Sequence, residues 1–234
     1  MFWRIVVSLG CLLVSSMTWA NNVKLDAKRD SLLVIDQGQV ITVQRIQDLS
    51  NEVTGFYART SRPCPHFCIQ PHTAAPGVET VSEIEVFDFM EGPLARGEGV
   101  LIDNRLESFY RKGTIPGSIH IPFTVFEKDP SDPELVAALE SLGAIKRDGV
   151  SGVTRMIERI GLFGGRYKTD NWDFSRVKTV LMWCNGPWCD QSPHAIRALL
   201  DLGFPADRIL YYRGGMQMWQ LFGLTTVVPT SAEN

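Results

Sequence analysis

Short apolar runs separated by polar turns set the plan of this chain. Val180-Leu-Met-Trp183 is too short for a helix and predicts a buried strand. It ends at Cys184, and the chain passes through a Gly-Pro turn. From Ser192 to Leu202, residues Ala195, Ile196, Leu199, Leu200 and Leu202 fall on one helical face. Gly203 stands where that helix stops. Gly99-Val-Leu-Ile-Asp103 and Asp207-Arg-Ile-Leu-Tyr-Tyr212 predict further buried strands, and Arg213 to Trp219 turns into a short final helix. Thr80-Val-Ser-Glu83 fits a capping box opening a helix through Phe89 or Met90. Leu106–Lys112 reads as a helical turn, Gly113–Pro122 as loop, strand and loop, and Asp132-Pro133 as the start of a helix through Leu142. Val150–Ile160 predicts another helix, and residues 162–174 an irregular link. Strands alternating with helices from Val81 onward give an α/β domain with a mainly parallel sheet, whose chemistry belongs beyond the strands' carboxyl ends. Asp103, Cys184 and Arg213 all stand at such ends.

The N-terminal third differs. Ser31–Ile35 and Val40–Gln44 are β-like runs around a hairpin turn at Asp36-Gln-Gly-Gln39. Residues 57–77 are rich in proline and predict loop. Before them, Arg4 precedes an apolar run from Ile5 to Val14, and Thr18-Trp-Ala20 supplies small residues for a signal peptidase. This predicts a signal peptide, residues 1–20, cleaved after Ala20, and a periplasmic or secreted product with no membrane anchor. The apolar run is too short to span a bilayer comfortably. Ser8-Leu-Gly-Cys11 superficially resembles an acylation site, but the apolar segment continues beyond Cys11. Composition, 44% hydrophobic and 21% charged, allows a sizeable core. A net charge of −3 gives no reason to expect nucleic acid or an anionic membrane as partner.

Export changes the meaning of the cysteines. Without Cys11, four remain, in two close pairs: Cys64/Cys68 and Cys184/Cys189. Cys64/Cys68 reads as a local disulfide, as a redox or partner-binding element serving Cys184, or as a zinc site with His66 and His72. The spacing matches no zinc finger, so no metal is assigned. Cys184, between a buried strand and a helix N-terminus, sits where backbone N–H groups and the helix dipole stabilise a thiolate or anion. The bland reading is a buried structural thiol.

Four segments in order resemble the rhodanese-like sulfurtransferase domain. Leu101-Ile-Asp-Asn-Arg105 resembles its first strand, and Gly113-Thr-Ile-Pro-Gly-Ser-Ile-His-Ile-Pro122 the segment that follows. Cys184 stands at the nucleophile position, with Ser192, Ala195 and Leu199 on the next helix, and Arg213-Gly-Gly…Trp219 closes the pattern. The resemblance implies a rhodanese-like three-layer fold with a mainly parallel central sheet over residues 79–228. Residues 21–78 are then an N-terminal β/loop extension and 229–234 a tail. It also implies sulfur transfer without a cofactor, between a small sulfur donor and a thiol acceptor, through a persulfide on Cys184. The persulfide would rest in N–H groups of residues 185–190. Asn185, Gly186, Trp188, Asp190, Gln191 and Arg213 would line the substrate site. Asp103 and Arg105 would brace it, and Trp183 and Trp219 would be core.

Three features depart from the family pattern. The Cys184–Ser192 span is longer than in simple single-domain members. Its loop carries Asp190 and no basic residue, which disfavours the thiosulfate dianion. The long Pro122–Val177 connection offers a lid or docking surface. Phosphatases of this fold follow the cysteine with an arginine, which is missing between Cys184 and Ser192. Cys189 adds two alternatives. It resolves a Cys184 persulfide, making a thiol–disulfide oxidoreductase a rival reading, or it forms a permanent disulfide with Cys184 in a non-catalytic binding module. In that module residues 57–77 would contact a protein partner. His120 and His194 are weaker candidates for a Cys–His pair.

Overall fold

The computed structural model describes residues 23–65 and 67–230. The expected signal peptide with its Ala20 cleavage site, Cys11 and His66 lie outside the described residues. The elements run β1 (Ser31–Asp36), β2 (Gln39–Gln44), β3 (Glu79–Val81), α1 (Glu83–Phe89), β4 (Gly99–Asp103), α2 (Glu107–Tyr110), β5 (Ser118–His120), α3 (Phe123–Phe126) and α4 (Pro133–Ser141). There follow β6 (Ile145–Lys146), α5 (Gly152–Arg159), β7 (Trp172–Asp173), β8 (Thr179–Trp183), α6 (Gln191–Asp201), β9 (Ile209–Tyr212) and α7 (Gly215–Leu221).

Five strands form the central sheet in the order β3-β9-β8-β4-β5, every neighbouring pair parallel. Alternation along β8 and β4 divides the core into two layers. Val180, Met182, Val100 and Ile102 face the first, with α3, α4 and α6 supplying Phe126, Leu135, Leu139, Ile196 and Leu199. Leu181, Trp183 and Leu101 face the second, with Val86, Phe87 and Trp219 from α1 and α7. This is the expected three-layer α/β arrangement, with Trp183 and Trp219 fully buried.

The expected hairpin β1–β2 forms with its turn tightened to Gln37 and Gly38, because Asp36 and Gln39 pair across the strands. It is not a peripheral addition. Its inward positions Leu32, Val34 and Val43 join the second core layer, while Leu33 and Ile35 point to solvent. Asp36 accepts the Gly117 N–H at 2.9 Å, and the Ile46 N–H donates to Gly223 O at 2.7 Å. The extension therefore completes the core of the domain that follows it.

Two local expectations need correction. The α1 capping box is Ser82 with Glu85, not Thr80 with Glu83, because Thr80 lies in β3. Residues 162–174 are more ordered than expected: Leu162–Tyr167 is a 3-10 turn, and β7 pairs antiparallel with β6. No helix among the described residues is long and apolar enough to cross a membrane.

Candidate active site

Strand β8 delivers Cys184 to the carboxyl edge of the sheet, and α6 begins at Gln191. Between them the chain reverses tightly, with the Cys189 N–H donating to Gly186 O at 2.9 Å. The start of α7 pins the loop from below. Met216 N–H donates to Cys184 O and Gln217 N–H to Asn185 O, both at 2.9 Å. This approach needs Gly215, whose φ is +54°; a Cβ there would lie 2.3 Å from Cys184 O.

Cys184 and Cys189 are both free thiols, 2% and 4% exposed. Burial pushes the Cys184 thiol up, but its neighbours Cys189, Ser192 and Gly186 outweigh it and hold the thiol below its usual range. Burial pushes Cys189 well up, its hydrogen bond to Cys184 and that sulfur's negative charge add to this, and the N–H groups of Asn185 and Gln191 oppose it. Of residues 185–190, expected to cradle the Cys184 sulfur, Gly186 acts on Cys184 together with Ser192, whereas Asn185 acts on Cys189 together with Gln191. Ser192 Oγ is fully buried without a hydrogen-bond partner, and the Cys184 thiol itself donates to Cys189 O at 3.6 Å.

The side chains expected to line the site take distinct places. Asn185 Nδ2 donates to Cys189 Sγ at 3.7 Å and to Gln191 Oε1 at 3.3 Å. Trp188 is half-buried and donates to Gln217 Oε1 at 2.6 Å. Asp190 precedes α6, where its carbonyl accepts the His194 N–H. Arg213 is committed elsewhere: its guanidinium donates to Gln70 O at 2.8 Å and Pro71 O at 3.2 Å, so it anchors the extension. Asp103 and Arg105 are a buried brace joined at 2.5 Å. Thr114 donates to Asp103, and Arg105 donates to Gly113 O and lies 4.7 Å over the Trp183 ring. His120 bonds Arg105 O and stacks on Tyr110, and His194 sits 3.3 Å from Glu127.

A strap from residues 55–71 covers the loop, and the sequence reading missed most of it. Cys64 and Cys68 are disulfide-bonded. Phe56 and Phe67 pack edge-on to Trp188 at 5.8 and 5.5 Å. The Arg62 guanidinium lies over both the Phe56 and the Trp188 ring, 4.1 and 4.0 Å from their centroids. The Gln70 N–H donates to Pro187 O at 2.9 Å, and Gln217 Nε2 donates to Tyr57 O at 2.9 Å. The Tyr57 hydroxyl donates to Asn185 Oδ1 at 2.7 Å and accepts from Arg105 Nη1 at 3.1 Å. The covering expected from the 122–177 connection thus comes from the extension. The connection's helix α3 packs against α6 instead.

A family model described as "Rhodanese-like domain" matches residues 88–221, more than half of the chain. Similar solved structures include a human single-domain sulfurtransferase, 19% identical, covering 61% of this chain and 96% of that one, with a TM-score of 0.37. A rhodanese-related protein from Thermoplasma volcanium is 16% identical over 64% of this chain and 99% of its own, with a TM-score of 0.37. A thiosulfate sulfurtransferase from Pseudomonas aeruginosa is 18% identical over 65% of this chain and 21% of its own, with a TM-score of 0.34. A search of curated proteins finds no match. With its parallel five-stranded sheet and the strand–cysteine–helix turn on that sheet's carboxyl edge, the chain belongs to the rhodanese-like domain family.

Proposed function

We propose that this protein is an exported sulfurtransferase that carries sulfane sulfur on Cys184 and resolves it with Cys189. The supporting observation is the place of one buried sulfur: Cys184 is a free thiol where β8 turns into α6, five residues before a second buried free thiol. A loop and helix start of this kind favour a thiolate, and they would equally favour the negative outer sulfur of a persulfide. With thiosulfate as donor, the Cys184 thiolate attacks the outer sulfur, the S–S bond breaks, and sulfite leaves with the bonding pair. Asp190 beside the site makes a dianion a poor donor, so less charged persulfides and polysulfides are the preferred class.

The test is the intact mass of the purified protein before and after thiosulfate or inorganic polysulfide, with thiols alkylated. A gain of one sulfur on the Cys184 peptide, removable by cyanide and lost in Cys184→Ser, is expected. No gain, together with a reduction-resistant Cys184–Cys189 bond, would move the reading to a non-catalytic module that binds a partner through residues 57–77. The exported location is checked separately by N-terminal sequencing of protein recovered outside the cytoplasm, which should begin at Asn21.

A further inference from the structure

Tyr57 lies outside the family-matched segment, yet it is wired to the second sulfur. Arg105 Nη1 donates to one lone pair of the Tyr57 hydroxyl, which leaves the hydroxyl proton for Asn185 Oδ1 at 2.7 Å. That bond fixes which end of the amide is oxygen. The other end, Nδ2, then faces Cys189 Sγ at 3.7 Å and Gln191 Oε1 at 3.3 Å, and the Cys189 thiol in turn donates to that Gln191 oxygen at 3.7 Å. Arg105 is in turn immobilised by Asp103. A continuous chain therefore runs from the buried ion pair, through a tyrosine of the extension and the amide of the loop, to a thiol.

We propose that Tyr57 is a positioning residue for the resolving step: it holds the Asn185 amide with its N–H₂ toward Cys189, so that a thiolate can form there. The inference rests on the sulfurtransferase reading above. In the step itself, Cys189 loses its proton and its sulfur attacks Cys184 Sγ. The bond from Sγ to the outer sulfur breaks, and the outer sulfur leaves with the electron pair and the proton as HS⁻. A Cys184–Cys189 disulfide remains, so one turnover needs no outside reductant. Without the Tyr57 hydroxyl only Gln191 Oε1 still orients the amide, and each turn of its oxygen toward the sulfur opposes the developing charge.

The titratable groups around Cys189 are few. Cys184 acts on Cys189, and Tyr211 lies close enough to feel both thiols, with Arg197 and Arg213 acting on Tyr211. Tyr57 faces it with the Asp103–Arg105 pair behind, and Asp190 is its neighbour in sequence. Tyr57 itself is pushed up to about 12 by burial, against the opposing pull of Arg105, so it stays a neutral hydroxyl throughout the useful range.

The experiment loads the protein with inorganic polysulfide, desalts it, and follows sulfide release in a single turnover from pH 6 to 10. Tyr57→Phe should take up sulfur as wild type does, yet release sulfide about 2- to 10-fold more slowly near neutral pH, with its pH midpoint moved upward. Gln217→Ala, which loosens the strap but keeps the hydroxyl, should leave the midpoint in place. An unmoved midpoint in Tyr57→Phe, or an equal shift in Gln217→Ala, overturns the proposal. If wild type takes up no sulfur, the sulfurtransferase reading falls. The amide's role is still decided by titrating Cys189 at 240 nm in Cys184→Ser, with and without Tyr57→Phe and corrected for tyrosinate. An unchanged titration there overturns it.

Discussion

Gly215 lies against the carbonyl of Cys184 so closely that a single methyl group would collide with it, at 2.3 Å from the oxygen and 2.8 Å from Gly186 N. The turn into α7 is therefore part of the cysteine loop's construction. Gly215→Ala should cost about 1–3 kcal/mol from the collision alone, with a further penalty for its positive φ, and should abolish sulfur loading. Urea unfolding and intact mass check both effects. A variant of wild-type stability that still loads sulfur would show that the loop does not depend on this contact.

The buried Asp103–Arg105 pair should behave as a structural brace. Removing the carboxylate in Asp103→Ala leaves a guanidinium in the core and should destabilise the fold by about 3–5 kcal/mol. Thermal and denaturant unfolding measure this. A loss below about 1 kcal/mol would mean that water reaches Arg105 and that the brace is unimportant.

The two thiols should titrate far apart. The neighbours of Cys184 hold it below the ordinary value of 9.0, whereas burial and the neighbouring sulfur hold Cys189 well above it. Because the thiolate is the reactive form, alkylation of Cys184 should rise with pH and level off before Cys189 begins to react. Iodoacetamide labelling, read peptide by peptide across pH, distinguishes this order from its reverse. The pair shares its protons, so the low and high midpoints describe the two sulfurs together.

Arg62 should help hold the strap down. Its cation–π contacts with Phe56 and Trp188 contribute on the order of 0.5–2 kcal/mol. Arg62→Ala should therefore speed alkylation of Cys184 severalfold while the global unfolding midpoint changes little. Equal labelling rates would place the route to the sulfur elsewhere.

The hairpin should be indispensable to the domain. Val43 is fully buried in the same layer as Trp183 and Trp219, and Val34 packs there too. A fragment starting at residue 79 should lose cooperative unfolding and bind a hydrophobic dye. Val43→Ala should cost roughly 1–3 kcal/mol in the whole chain.

These particulars show what local pattern can and cannot reveal. Gly99–Asp103 and the strand before Cys184 were legible because unbroken apolar runs bounded by polar residues have few other uses in a parallel sheet. β3 was hidden because Thr80 and Ser82 each stand three residues before a glutamate, so two capping boxes fit and only tertiary pairing chooses between them. The places of Cys184 and Asp103 at the sheet's carboxyl edge were legible because each directly ends or follows such a run. Tyr57, Phe56 and Arg62 were not found, because their partners on the cysteine loop lie over a hundred residues away and no periodicity encodes such a contact. The aromatic pair Phe56-Tyr57 beside a cysteine-bearing loop was the one available hint. Arg213 was placed at the right edge, but its guanidinium is taken up by carbonyls of residues 70 and 71, which sequence alone did not connect to it.

The closed strap also sets a common ceiling on speed. Since both sulfurs are almost wholly covered, every reagent must wait for the same opening, whatever its own reactivity. At high concentration a fast alkylator and a slow one should converge on a single limiting rate. That rate belongs to the protein, and it measures how often residues 55–71 let go.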